Sequence, residues 1–442
     1  MAIAARPGAV CPTIAGMRRL AALAAAGALA AIQLAGGAVP ASAAPPAGVC
    51  HDPEPARERV QMRPWALQTL DPQRVWPRSR GAGVLVAVVD SGVDADHPQL
   101  RRPGKVRTGR DFYLPGALPG NFDCVSHGTG VAGVIAADPL PGIGFHGLAP
   151  DAEILPVRIT DRDISDRGES LRINPDAVAA GIRYAADQGA RVINLSLAGF
   201  SDFPVIRAAV AHAVARDAVV VAAAGNSQQN APAGLPSYPA SYDGVLGVGA
   251  VDRAGARMGT SQVGPYVGIV APGAEILTTA REDGHTQVDG TSFAAPFVAA
   301  TAALVRSAWP RLSAAQVIQR LKATADPARG GLGSDAYGAG LVDPYRAVTD
   351  GLDPEKPAAM PAYLPPPPDL ARLEKAARTE ETGTTAKWLT AAVAGALVLA
   401  GLTAAVVPRG NKRRWRPGRT ASMPAEPRVP EPPDQVFLIR GR

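Results

Sequence analysis

Three stretches of this chain are apolar at nearly every position. Val84–Val89, Val192–Leu195 and Val219–Ala223 run without the polar alternation of a half-wet strand. Unbroken runs of this length, rich in Val, predict parallel strands buried on both faces. Between and around them, residues 176–188 and 203–217 carry helical spacing, and a stretch of Ala, Val and Leu continues from Ser292 to about Ala308. Strands alternating with helices predict an α/β domain, placed at residues 64–350. No internal repeat interrupts this rhythm.

The two ends follow different patterns. Arg18 and Arg19 precede an apolar run, Leu20–Leu34, and Ala41-Ser42-Ala43 matches a small-residue cleavage site. Residues 1–43 therefore read as a secretory signal, with Met17 as an alternative start. Residues 44–63 form a short extension before the domain. After the domain, residues 351–387 include Pro361 and the run Pro365–Pro368, a semi-rigid polyproline spacer. Trp388–Val407 then gives 20 residues without a charge. At ~1.5 Å per residue such a helix covers the ~30 Å hydrocarbon core of a bilayer. A buried core helix is the other reading, but no packed domain follows to bury it. Arg409, Lys412, Arg413, Arg414 and Arg416 flank the run, which puts the tail 408–442 in the cytoplasm. The expectation is a single-pass type I membrane protein with its bulk outside the cell membrane.

Charge adds one correction to this picture. The net charge is +6, but Arg6, Arg18 and Arg19 supply +3, and nine Lys or Arg against three acids in residues 408–442 supply +6. The central part, 44–407, is therefore slightly acidic and offers no electrostatic case for nucleic acid. Cysteine is scarce. Cys11 lies in the signal region, leaving Cys50 and Cys124 in the exported chain. Two cysteines outside the cytoplasm are expected to pair, two unpaired thiols being the alternative.

The candidate chemistry sits at the ends of the buried runs. Asp90 follows Val84–Val89 and opens Asp90-Ser91-Gly92. Carboxyl ends of parallel strands are where open α/β sheets place ligands, although a loop or capping aspartate would look the same. His127 opens His127-Gly128-Thr129-Gly130-Val131-Ala132-Gly133, at an expected helix start rich in glycine; none of the other five histidines has such a setting. Ser292 lies in Gly290-Thr291-Ser292-Phe293-Ala294-Ala295-Pro296. A serine there is either an N-cap or a nucleophile aided by helix amides. Asn226 ends Ala223-Ala224-Gly225-Asn226, where its amide fits either a turn or an oxyanion donor.

Taken together, in the order Asp, His, Ser with separations of 37 and 165 residues, these segments resemble the subtilases over about Pro64–Val348. The resemblance implies a subtilisin-like three-layer fold with a mainly parallel sheet. It implies a serine endopeptidase acting on proteins or peptides without a cofactor, with Asp90, His127 and Ser292 as the catalytic triad and Asn226 in the oxyanion hole. Asn194-Leu195-Ser196-Leu197-Ala198-Gly199 resembles the family's substrate-binding strand, and Tyr238-Pro239-Ala240 its pocket segment. Ser196, Leu197, Ala198, Gly199, Ala224 and Gly225 are the implied substrate-binding residues, with small or apolar residues expected at the cleavage site.

Two departures refine the expectation. Many subtilases carry a folded propeptide, but residues 44–63 are too few for an independent core, which needs roughly 40 residues. They are expected to wrap the domain, with Cys50 stapled to Cys124. Where the family supplies a calcium carboxylate in His-Pro-Asp-Leu, this chain reads His97-Pro98-Gln99-Leu100, so no metal is expected there. The layout of signal, short extension, subtilase domain, Pro-rich linker and single span resembles the mycosins, membrane-anchored proteases of type VII secretion. This implies partners among the secretion membrane components. A mainly structural role in that complex is the alternative to processing of exported proteins.

Overall fold

The protein is described by a computed structural model covering residues 53–161, 174–229, 232–327 and 334–351. Residues 45, 49 and 50 are described before these, and 407, 408, 411, 412 and 414 after them. The signal region 1–43, the linker beyond residue 351, the run Trp388–Val407 apart from Val407, and most of the tail lie outside the described residues. Among the described residues, no helix is long and apolar enough to cross a membrane.

The three apolar runs become strands β1 (Leu85–Asp90), β4 (Val192–Leu195) and β5 (Val219–Ala223). Strands β2 (Arg110–Asp111), β3 (Glu153–Arg158), β6 (Val245–Val251) and β7 (Val267–Pro272) complete a sheet in the order β2-β3-β1-β4-β5-β6-β7. All its pairings are parallel. Successive residues of a strand point to opposite faces, and β1 shows the result. Val86 and Val88 join one hydrophobic core, while Leu85, Ala87 and Val89 join the other. This division explains why the run has no polar position.

The first core is shared with helices α1 (Trp65–Leu70), α3 (His127–Ala136), α6 (Thr291–Ala308) and α7 (Ala314–Ala323). The second is shared with α4 (Pro175–Asp187) and α5 (Pro204–Ala215). Two short helices, α2 (Pro72–Val75) and α8 (Pro344–Thr349), flank the first group. The three layers follow directly. Because β3 and β4 lie on opposite sides of β1, the chain reverses its direction of winding there, and open sheets form their ligand crevice at such a point.

Cys50 and Cys124 form a disulfide, so the expected staple is present. The extension it tethers lies against the hairpin of β8 (Ile276–Thr279) and β9 (His285–Val288). Arg57 N–H donates to Asp283 O at 2.9 Å, and the Arg59 guanidinium grips the Asp283 carboxylate at 2.8 and 2.6 Å. Val60 N–H donates to His285 Nδ1 at 3.0 Å, while His285 N–H donates to Glu58 O at 3.0 Å. Val60 O in turn accepts from Gly144 N–H at 3.1 Å.

Gln99 stands at the centre of this anchorage. Its Nε2 donates to Asp138 O and Phe145 O, each at 2.9 Å, and its Oε1 pairs with His285 Nε2 at 2.8 Å. Since His285 Nδ1 accepts from Val60, the ring proton belongs on Nε2 and points to Gln99. The neutral amide thus cross-links three segments through protons, where a carboxylate would invite a cation.

Burial holds both His97 and His285 at about 4, below the usual 6.5 of histidine. The unfolded chain takes up these protons between pH 6.5 and 4, and the folded chain does not. Stability is therefore intact above about pH 6.5 and declines toward pH 4, by up to roughly 3 kcal/mol per histidine. Thermal unfolding of the domain is expected to show Tm falling by roughly 5–15 °C over that window. His285→Gln should flatten the slope; an equally steep slope in that variant would remove His285 as its source.

Candidate active site

Asp90 is the last residue of β1 and fully buried. Its Oδ1 accepts from Ser91 N–H at 2.7 Å and meets His127 Nδ1 at 2.7 Å. His127 is the first residue of α3, and its ring packs on Phe293 with centroids 5.0 Å apart. With a carboxylate facing Nδ1, the proton sits on Nδ1 and Nε2 keeps its lone pair. Glycine allows this approach. A β-carbon on Gly128 would lie 2.0 Å from Gly92 O, so any side chain there would push the helix off the Asp90-Ser91-Gly92 turn.

Behind the pair lies a carboxylate that sequence reasoning missed. Asp123 Oδ2 accepts from Thr129 N–H at 2.9 Å and Thr129 Oγ1–H at 2.7 Å. Its Oδ1 accepts from Val125 N–H and Ser91 Oγ–H, both at 3.0 Å. Ser91 Oγ also accepts from Gly128 N–H at 2.9 Å. Asp123 thus ties the helix start to the residue after Asp90. Burial, with a smaller push from the Asp90 charge, raises its carboxyl to about 6 against the hydrogen bonds it accepts. An acid shortly before a helix start was the available signal, because carboxylates satisfy first-turn amides.

Ser292 is the second residue of α6, and Gly290 is the N-cap. The hydroxyl is therefore not an N-cap, and the Ser292 backbone N–H, in the first turn, has no intrahelical carbonyl to bond. Asn226 is oriented from beside it. Asn226 Oδ1 accepts from Thr291 N–H and Thr291 Oγ1–H, both at 2.9 Å. Thr291 Oγ1 accepts from Gly225 N–H at 3.0 Å. These bonds fix which end of the amide is which and leave Nδ2 as the donor on the Gly290–Ser292 side. A β-carbon on Gly290 would lie 2.8 Å from that Nδ2.

The six substrate-binding candidates divide by placement. Ser196 is fully buried; its hydroxyl donates to Ser292 O at 2.6 Å and accepts from Asn194 Nδ2 at 2.8 Å. Leu197 belongs to the second core, and Ala224 packs with Val251, Val267 and Val270. Ala198 and Gly199 are exposed. Gly199 and Tyr238 exchange backbone hydrogen bonds of 2.9 and 2.8 Å, which brings the pocket segment to the candidate substrate strand. Gly225 O accepts from Gln262 N–H at 2.9 Å.

Residues 81–340 match the model of the subtilase family. Mycosin-1 of Mycolicibacterium smegmatis is 35% identical over 360 residues, covering 69% of this chain and 78% of the relative. Mycosin-4 of Mycobacterium tuberculosis is 34% identical over 389 residues, covering 80% and 83%. The solved structure of the MycP3 protease from the type VII (ESX-3) secretion system superposes with a TM-score of 0.55 at 34% identity, covering 69% of this chain and 97% of that one. A buried Asp–His pair at a strand end, a serine at the head of α6 and these likenesses agree: the chain is a subtilisin-like serine protease and belongs to the mycosins of the subtilase family.

Proposed function

We propose that this protease processes proteins exported by a type VII secretion system, held on the outer face of the cell membrane by Trp388–Val407. Ser292 Oγ attacks the scissile carbonyl while His127 Nε2 takes its proton. The resulting imidazolium is stabilised by Asp90, which also fixes the tautomer. Asn226 Nδ2 and the Ser292 N–H receive the developing oxyanion. His127 then returns the proton to the leaving amine, and water repeats the sequence on the acyl-enzyme. Ser91, Asp123 and Thr129 position the pair, and Thr291 positions Asn226. The 2.7 Å contact between His127 Nδ1 and buried Asp90 Oδ1 carries this reading.

The stapled extension favours a second role as a fixed component of the secretion complex, since it presents an ordered surface within a few residues of His127. A complementation experiment separates the two. In cells lacking the gene, the Ser292→Ala chain is expected to leave exported substrates unprocessed. Secretion restored without processing would assign the essential role to the scaffold, and processing restored by that variant would sink the protease assignment of Ser292.

A further inference from the structure

Two segments lead away from the nucleophile, and both are tied to the head of α6. Ser196 Oγ–H holds Ser292 O at 2.6 Å on one side, and Thr291 Oγ1 holds Gly225 N–H at 3.0 Å on the other. They continue neighbouring strands β4 and β5 past their carboxyl ends. A substrate side chain next to a carbonyl at Ser292 must therefore drop between residues 196–199 and 224–226. Something already stands there. An alanine at position 225 would place its methyl carbon 1.8 Å from Gln262 Oε1 and 3.2 Å from the Ala198 methyl. The Gln262 amide, the Gly225 α-carbon and Ala198 thus converge on one point.

Gln262 is held rather than draped. It is 4% exposed, and its N–H donates to Gly225 O at 2.9 Å. The residues beside it are fixed as well. Ser261 Oγ accepts from Ala250 N–H at 3.0 Å, and Val263 N–H donates to Gln228 Oε1 at 2.7 Å. Gln228 N–H donates to Thr260 O at 3.0 Å. A buried side chain on a pinned loop does not swing aside without breaking packing around it.

We infer that Gln262 is a specificity-determining residue: its carboxamide fills the floor between Ala198 and Gly225 and restricts the residue before the scissile bond to Gly, Ala or Ser. This rests on the endopeptidase reading and narrows it to a substrate class. Neighbouring sequence gives no hint of it, because Gln262 lies 36 positions from Asn226 and 30 from Ser292.

The test uses internally quenched peptides that differ only in Ala, Leu or Phe before the cleaved bond, with cleavage sites read by mass spectrometry. The intact exported chain is compared with Gln262→Ala and Gln262→Asn, each titrated with a serine-directed phosphonate. Wild type is expected to prefer Ala over Phe by at least about tenfold in kcat/KM. Gln262→Ala should raise the Phe-to-Ala ratio by roughly 10–100-fold, and Gln262→Asn should fall between them. A ratio that stays within about threefold in both labelled variants overturns the inference, as does a wild type that cleaves equally well after Phe. If Gln262→Ala does not label, Gln262→Asn decides on the same ratio. Failure of the wild type to label or to cleave any peptide overturns the endopeptidase reading, and this inference with it.

Discussion

Ser292→Ala is expected to lower kcat for peptide hydrolysis by roughly 10⁶-fold, to the level left by binding and the oxyanion donors alone. The size follows from the way the triad works as a unit. Without Oγ, His127 Nε2 has no nucleophile to deprotonate, and the 2.7 Å Asp90 contact orients the ring to no catalytic effect. The variant should still fold, because the Ser292 atom cross-linked to the strand is its carbonyl, bonded to Ser196, and alanine keeps that carbonyl. Unfolding by calorimetry and labelling with a phosphonate separate the effects. An unchanged Tm with labelling abolished is the expected pair. Labelling retained in Ser292→Ala would place the nucleophile elsewhere.

Asn226→Leu is expected to reduce kcat by about 10²–10³-fold while moving KM little, because its Nδ2 meets charge that exists only in the transition state. Leucine also removes the acceptor for Thr291, so stability alone would not report on the donor. Asn226→Asp answers this. It keeps an oxygen toward Thr291 N–H and Oγ1 but turns an acceptor toward the oxyanion. Its kcat should fall at least as far as that of Asn226→Leu, with a Tm closer to wild type. A KM-dominated loss in both variants would recast Asn226 as a ground-state substrate contact.

The fold was legible where a single physical rule acts on consecutive residues. Strand β1 touches two cores, so its apolar run has no gaps; the same holds for β5, and β4 is interrupted only by Asn194, which donates to Ser196. Pro175 and Pro204 open α4 and α5 close to their expected starts. The candidate segments stood out because each carries its own turn or helix start, and two of their residues, Asp90 and His127, meet at 2.7 Å. What was hidden depends on contacts across long separations. Asp123 touches Ser91 across 32 residues, and His285 reaches Gln99 across 186. Arg158 gives another case: a fully buried guanidinium in β3, paired with buried Asp111 at 2.7 Å. Nothing local in Val157-Arg158-Ile159 announces that partner. The β8–β9 hairpin was likewise unread, since its short strands serve the extension rather than the sheet.

The acid response combines opposing parts of this buried chemistry. The two histidines favour neutral pH, whereas Asp123, raised to about 6, favours protonation. Between pH 3.8 and about 6 the folded chain holds the Asp123 proton more tightly than the unfolded one, which partly offsets the histidine loss. The histidines act in the same direction as each other, so the net slope keeps their sign.

The Cys50–Cys124 bond has a consequence for timing. It spans a sequence separation of 74 residues, and closing a loop of that size removes denatured-state freedom equivalent to about 4 kcal/mol on the chain-entropy account. One of its ends is followed by Val125, Ser126 and His127, so this covalent step is made beside the candidate base. Thiols persist in a reducing cytosol and oxidise beyond it. Under the proposed export, the surroundings of His127 are completed only after the chain leaves the compartment in which it is synthesised. Export would then itself be a stage of maturation, marked by a covalent bond three residues before the candidate base.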